Sequence, residues 1–141
     1  MLLRFIKLWV AASVLFGLAD FIFSWNPLAA APYLAHRTEP IFRAVPFLKF
    51  GIIVEDINGF ISSIAYLSIG RTIEGAPIRR GCVFGLMIWG LWVVSGTMSA
   101  FVWLNVPVSL ALANVLFGLP KCIAIGSGIA WTWSRLQPAA A

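Results

Sequence analysis

The sequence predicts an all-α membrane protein with four transmembrane helices in an antiparallel bundle. The chain is 61% hydrophobic and 11% charged, whereas soluble domains average about 45–50% apolar and about 25% charged residues. Its apolar runs are each close to the roughly 20 residues that an α-helix needs to cross the bilayer. The runs also lack the alternation with period two that membrane β-strands require.

The expected spans cover residues 8–25, 50–70, 82–104 and 107–133, with approximate ends. Prolines break regular helix, and they recur in residues 26–49. We therefore expect that stretch to be a loop on the membrane surface, with a short interfacial helix beginning near Pro40. Short connections join the later spans, so we expect residues 1–141 to form a single transmembrane domain.

Positive residues near the span ends indicate the orientation of the bundle. One side holds six of them: Arg4, Lys7, Arg71, Arg79, Arg80 and Arg135. The other side holds three: Arg37, Arg43 and Lys49. Cytoplasmic loops carry the excess of Lys and Arg, so both termini are expected in the cytoplasm. The pattern is typical of small bacterial proteins, and we expect a multi-pass protein of the bacterial inner (plasma) membrane.

Several classes of function are excluded by what the sequence lacks. The net charge is +5, but the positive residues flank apolar spans and read as topology signals, so no nucleic-acid partner is expected. Catalytic motifs such as GxSxG and HExxH are absent, so we expect no enzyme activity and no cofactor. Two cysteines and one histidine are too few for a zinc site, and we expect no metal.

Polar residues inside the expected spans are the candidate functional site. A charged group at the centre of a span costs about 2.5–3.5 kcal/mol on insertion scales, and such groups usually mark function or pairing. The candidates are Asp20, Glu55, Asp56, Asn58, Asn114 and Lys121.

Helical spacing separates two of these candidates on the second span. Glu55 shares a stripe of small and polar residues with Asn58 and Tyr66, so it should face protein. Asp56 lies about 100° away around the helix. Both carboxylates could be hydrated near the outer surface and pair with Lys49 or Arg43. Alternatively, they could form a protonatable transport path or an interface with a partner protein.

The remaining charged candidates lie on the first and fourth spans. Asp20 could be a carboxylate of the outer interface, or it could join Glu55 in an acidic cluster. Lys121 lies near the midplane and follows Pro120, which interrupts the helix. It could pair with a carboxylate that holds the bundle together, or belong to a transport site. The depth of Lys121 differs from that of Glu55 by roughly 7 or 14 Å, depending on which helix ends are aligned. An ion pair between these two residues is therefore neither required nor excluded by the sequence.

Glycines provide candidate positions for helix packing. Small residues allow close approach of membrane helices, and the third span carries a GxxxG motif. The candidate packing residues are Gly51, Gly59, Gly81, Gly85, Gly96 and Gly118.

Two hypotheses of function follow. The first is a small polytopic membrane protein that acts as a non-catalytic subunit or assembly partner of a membrane complex, since its loops are minimal and its helices are rich in glycine. The alternative is a small oligomeric transporter or channel that uses Glu55, Asp20 and Lys121. The expected partners are the lipid bilayer and either further copies of the chain or another membrane subunit.

Overall fold

The computed structural model describes residues 1–36, 47–104 and 106–137, with side chains described except at Ser24 and residues 47–50. All regular structure in these residues is helical. The α-helices are α1 (Leu2–Trp25), α2 (Pro27–Ala35), α3 (Phe47–Ser68), α4 (Pro77–Ile88), α5 (Ser95–Trp103) and α6 (Val108–Leu136). A single 3-10 turn follows α3 at Gly70–Thr72, and a π-helical segment at Trp89–Val94 joins α4 to α5.

Four helical stretches are long and apolar enough to cross a membrane, which supports the prediction of a multi-pass membrane protein. They are Leu2–Phe23, Gly51–Thr72, Pro77–Trp103 and Val108–Leu136. The helices begin earlier or end later than the apolar runs that predicted them. The third, for example, begins at Pro77 rather than near Cys82, because proline is well suited to the first turn of a helix.

The expected loop over residues 26–49 is partly wrong, because Pro27–Ala35 forms α2. Asn26 begins this helix, and its side chain accepts a hydrogen bond from the backbone N–H of Leu28. Pro27 occupies the first turn, where its missing N–H costs nothing. The expected interfacial helix near Pro40 lies outside the described residues.

The third span changes its helical geometry in the middle. Residues Trp89–Val94 form a π-helix, which is rare and often marks a functional site. Its Trp89 indole Nε1 donates a hydrogen bond of 2.8 Å to the backbone carbonyl of Val115 in α6. The π segment therefore lies against the part of α6 that precedes Pro120.

The helices contact one another in a definite order. α1 packs against α3 and α6, and α6 packs against α4. Their buried side chains form one apolar cluster: Leu8, Ala12, Phe16, Tyr66, Phe84, Ile125, Ile129, Ala130 and Trp133. Because α6 packs against both α1 and α4, it lies at the centre of this arrangement.

Glycine brings α4 and α6 into backbone contact. An added Cβ on Gly81 would meet the Ser127 backbone, and one on Gly85 would lie 2.8 Å from the Ile123 Cα. Gly126 faces the same two glycines from α6, although the sequence analysis did not select it. Such contact gives membrane helices the close packing that lipid cannot supply.

The other candidate packing glycines divide into two groups. A Cβ on Gly59 would meet Ser13 of α1, and one on Gly118 would lie 2.8 Å from Val93 Cγ1. By contrast, Gly51 and Gly96 have open space around them among the described residues. The lack of a side chain at these two positions therefore does not serve packing within the described part of the chain.

Candidate intramembrane charged site

An ion pair between the first and last spans is the centre of the candidate site. The Lys121 ammonium of α6 donates to the Asp20 carboxylate of α1. Asp20 lies five residues before Trp25, the last residue of α1, whereas Lys121 lies near the middle of α6. A lysine side chain is long enough to reach along its helix toward a partner nearer the end.

Glu55 of α3 completes a cluster of three charged residues. Its carboxyl group lies within hydrogen-bonding reach of the Asp20 carboxyl group and within electrostatic range of Lys121. The Asn58 side-chain amide donates a 3.3 Å hydrogen bond to it from one turn further along α3. We call Asp20, Glu55 and Lys121 the charged cluster. It joins α1, α3 and α6, three of the four helices that the apolar core joins.

The charged cluster contains two carboxyl groups and one ammonium group. The cluster is also only partly covered, since the side chains of Lys121 and Asp20 are 24% and 39% exposed. It therefore has an acceptor available for a second cation and a face open to its surroundings.

Helix α2 lies beside the cluster at the Trp25 end of α1. It contacts both α1 and α6, and burial together with the charge of Asp20 raises the pKa of the Tyr33 hydroxyl. Tyr33 therefore keeps its proton at physiological pH. It also lines a cavity of about 200 Å³ together with Thr97 and Asn114.

The other polar candidates lie outside the charged cluster. Asp56 is exposed on α3, where its carboxylate accepts a 3.1 Å hydrogen bond from the Ser13 hydroxyl. Asn114 of α6 donates a 2.6 Å hydrogen bond to Thr97 Oγ1 of α5. Both hydrogen bonds link neighbouring helices, as polar side chains commonly do in membrane bundles. The expected pairing of Glu55 or Asp56 with Lys49 or Arg43 falls on side chains outside the described residues.

Irregular backbone surrounds the lysine. Pro120 removes one backbone hydrogen bond from α6 immediately before Lys121. The π segment of the third span packs on the preceding turn, through Trp89 on Val115 and Val93 on Gly118. α6 itself continues as one helix through Pro120, so the irregularity beside the lysine consists of the missing hydrogen bond and the neighbouring π segment.

A second set of polar groups is buried between the charged cluster and the other end of α3. The side-chain atoms Ser62 Oγ, Ser63 Oγ, Tyr66 Oη and Trp133 Nε1 are buried and have no hydrogen-bond partner among the described residues. The sequence placed Ser62 and Tyr66 on the protein-facing stripe of α3, but it gave no sign that the Trp133 indole would be buried.

The described residues hold no group of three or more His, Cys, Asp or Glu side chains arranged to bind a metal ion. Both cysteines are free thiols, Cys122 buried and Cys82 half-buried. Comparison of the chain with protein-family models, curated proteins and solved structures finds no match.

Proposed function

We propose that the protein is a small transporter or channel for protons or other cations, and that it works through the charged cluster. The observation that supports this proposal is the convergence of Asp20, Glu55 and Lys121 from three separate helices. A lysine that only balanced one buried carboxylate would need a single partner. The second carboxyl group supplies a place for a proton or cation that can arrive and leave.

The surroundings of the cluster favour the same proposal. Ionisable groups inside a membrane commonly mark ion pathways and proton relays. Tyr33, which lies within electrostatic range of Asp20, lines a cavity with Asn114, and Pro120 and the π segment provide helices able to bend. We further propose an antiparallel bundle with both termini in the cytoplasm, based on the distribution of Lys and Arg.

Transport of this kind would require an oligomer, since four helices of this length enclose little space. We expect a homodimer or larger homo-oligomer in the inner membrane. The partly exposed side chains of Asp20 and Lys121 would then face either water or a second copy rather than hydrocarbon.

The test is ion flux in proteoliposomes that contain a pH-sensitive dye, with a potassium gradient and valinomycin setting the voltage. Glu55→Gln should remove flux while the protein still assembles. Asp56→Asn is the matched control, because the neighbouring carboxylate lies outside the cluster, and it should retain flux. The proposal would be contradicted if wild-type liposomes responded no more than empty ones, both in this proton assay and under sodium and potassium gradients with dyes for those ions and without valinomycin.

A second candidate, a non-catalytic subunit of a membrane complex, is favoured by the exposure of Asp56. This carboxylate lies within the Gly51–Thr72 span, and its neighbours Ile53 and Ile57 are exposed as well. A polar group on an outer face inside a membrane is well suited to a partner helix. Gentle extraction of the tagged protein and mass spectrometry of the intact complex would reveal a stoichiometric foreign subunit if this candidate is right.

A further inference from the structure

We infer that the end of the bundle at which α1 begins binds the headgroups of anionic phospholipids. Six positive side chains from four helical stretches belong to this end: Arg4, Lys7, Arg71, Arg79, Arg80 and Arg135. We call it the basic end. Binding of this kind goes beyond the function proposed above: it rests on the antiparallel bundle proposed there, but it requires no ion transport.

Contacts between α1 and α6 bring three of these cations to one end. The ion pair of the charged cluster joins the two helices near the end of α1, and about two turns further along α6 Gly128 meets Leu15 of α1. The contact therefore moves toward the start of α1 as α6 proceeds. About two further turns of α6 reach Arg135, at the level of the part of α1 that carries Arg4 and Lys7.

The other three cations surround the connection between α3 and α4. Arg71 belongs to the 3-10 turn that follows α3 and contacts α4. The Arg80 guanidinium donates hydrogen bonds to the carbonyl groups of Ile73 and Gly75, which holds it against the connection. The Arg79 side chain also lies beside Gly75. These arginines therefore lie around the start of α4.

Glycine contacts place the start of α4 at the same end as Arg135. Gly85 meets the α6 backbone at Cys122, and Gly81 meets it further along α6, at Ser127. Going back from Gly81 toward the start of α4 therefore leads along α6 toward its last turn. Helical side chains lean toward the N-terminus of their helix, so the cations near the starts of α1 and α4 extend toward this end.

The basic end is open to its surroundings and holds little negative charge. Arg80 is half-buried, and the other five cations are exposed. Glu74 of the connection is the one acidic side chain among the described residues of this end, and it is exposed as well. The excess of positive charge makes phosphate, which Lys and Arg bind strongly, the complementary partner.

Exposed apolar neighbours favour a lipid as the source of that phosphate. Ile78, the neighbour of Arg79, is 62% exposed, so an acyl chain can cover the isoleucine while its headgroup meets the arginine. The Arg135 guanidinium lies 5.4 Å from the centre of the exposed Trp131 ring, and tryptophan concentrates at the depth of the headgroups. The orientation proposed above turns this end toward the cytoplasm, where anionic lipids make the leaflet surface negative.

The test measures lipid binding by native mass spectrometry of the purified full chain. Phosphatidylglycerol should bind at least about tenfold more tightly than phosphatidylcholine with the same acyl chains, because Lys and Arg beside the membrane attract anionic headgroups. Equal affinities would overturn the inference and leave a soluble acidic partner as the alternative for these cations.

Single substitutions locate the binding. Lys7→Gln should weaken phosphatidylglycerol binding about fivefold, the effect of one cation near an anionic surface, whereas Glu74→Gln should strengthen it. Arg43→Gln is the control, because the sequence places this arginine with the cations of the other end, and it should leave the affinity unchanged. Equal effects of Lys7→Gln and Arg43→Gln would overturn the inference, since the basic end would then have no role of its own.

Lipid binding and ion flux are separate measurements. A preference for phosphatidylglycerol in a protein that moves no ions would remove the transport proposal alone. Ion flux in a protein without that preference would remove the lipid-binding inference alone.

Discussion

The α4–α6 interface and the α1–α3–α6 interface hold the same bundle together by different means. The first brings backbones into contact through Gly81, Gly85 and Gly126. The second contains the Asp20–Lys121 ion pair and the buried polar groups that follow Glu55 along α3. Lipid offers no hydrophobic drive for helices to associate. The first interface therefore depends mainly on shape, whereas the second adds polar pairing to a glycine contact of its own, Gly59 on Ser13.

The close glycine contact between α4 and α6 fixes the structure, whereas the charged cluster can change its protonation state. Close backbone packing has a single good arrangement, since any separation loses dispersion contacts. A cluster with two carboxyl groups and one ammonium group has several protonation states at nearly the same geometry. We therefore expect substitutions at the glycine interface to alter stability and those in the charged cluster to alter function as well.

The largest expected effect is at Gly85. Gly85→Ala places a methyl group against the α6 backbone, which cannot move aside as a side chain can, and should reduce the free energy of unfolding by about 3 kcal/mol. Gly90→Ala is the control, because nothing lies within 4 Å of its added Cβ. Unfolding with sodium dodecyl sulfate in mixed micelles measures both. Equal losses would show that the α4–α6 contact does not determine stability.

A smaller effect is expected when the ion pair loses its lysine. Lys121→Met leaves Asp20 and Glu55 together without the cation, which should cost about 2 kcal/mol; this is less than for a fully buried pair because both partners are partly exposed. The double variant Asp20→Asn with Lys121→Met should regain part of that loss. If the two changes simply add in a double-mutant cycle, the two residues are not energetically coupled.

The smallest effect is expected at Ser13. Its hydroxyl lies within hydrogen-bonding distance of both the Asp56 carboxylate and the Trp9 carbonyl, and it packs against Gly59. Ser13→Ala removes one polar contact between helices and should cost about 0.6 kcal/mol, the average for such bonds in a membrane protein. The same unfolding assay measures it. A loss as large as that at Gly85 would remove the distinction between the two interfaces.

The sequence predicted the spans because hydrophobicity and length are properties of each segment alone. Helix α2 was missed because its prolines look like breakers, although Pro27 lies at the one position where proline favours a helix. The π segment at Trp89–Val94 was also missed, because no residue pattern separates it from ordinary helix. In both places the local sequence is compatible with more than one backbone.

The sequence predicted only part of the candidate site, because the pattern along one helix does not reveal which helices lie beside it. Helical spacing predicted Glu55 on the protein-facing stripe and Asp56 about 100° away from it, and in the structure Glu55 is half-buried and Asp56 exposed. It could not choose a partner for Lys121, because that choice depends on the order of helices around the bundle. With α1 packed between α3 and α6, Asp20 is the residue that reaches the lysine and Glu55 adjoins it.

The π segment has a consequence for insertions and deletions in the third span. A π turn accommodates one more residue than an α turn, so removing Gly90 would let Trp89–Val94 close into regular α-helix. Because the π turn already absorbs that extra residue, the residues after it would keep their positions around the helix axis relative to α4. Thr97 would therefore stay beside Asn114, and Gly81 and Gly85 would keep their contact with α6. Loss of one residue from the regular helix of α4 or α5 would instead turn everything after it by about 100°, so the third span should tolerate a shortened chain better at Trp89–Val94 than on either side.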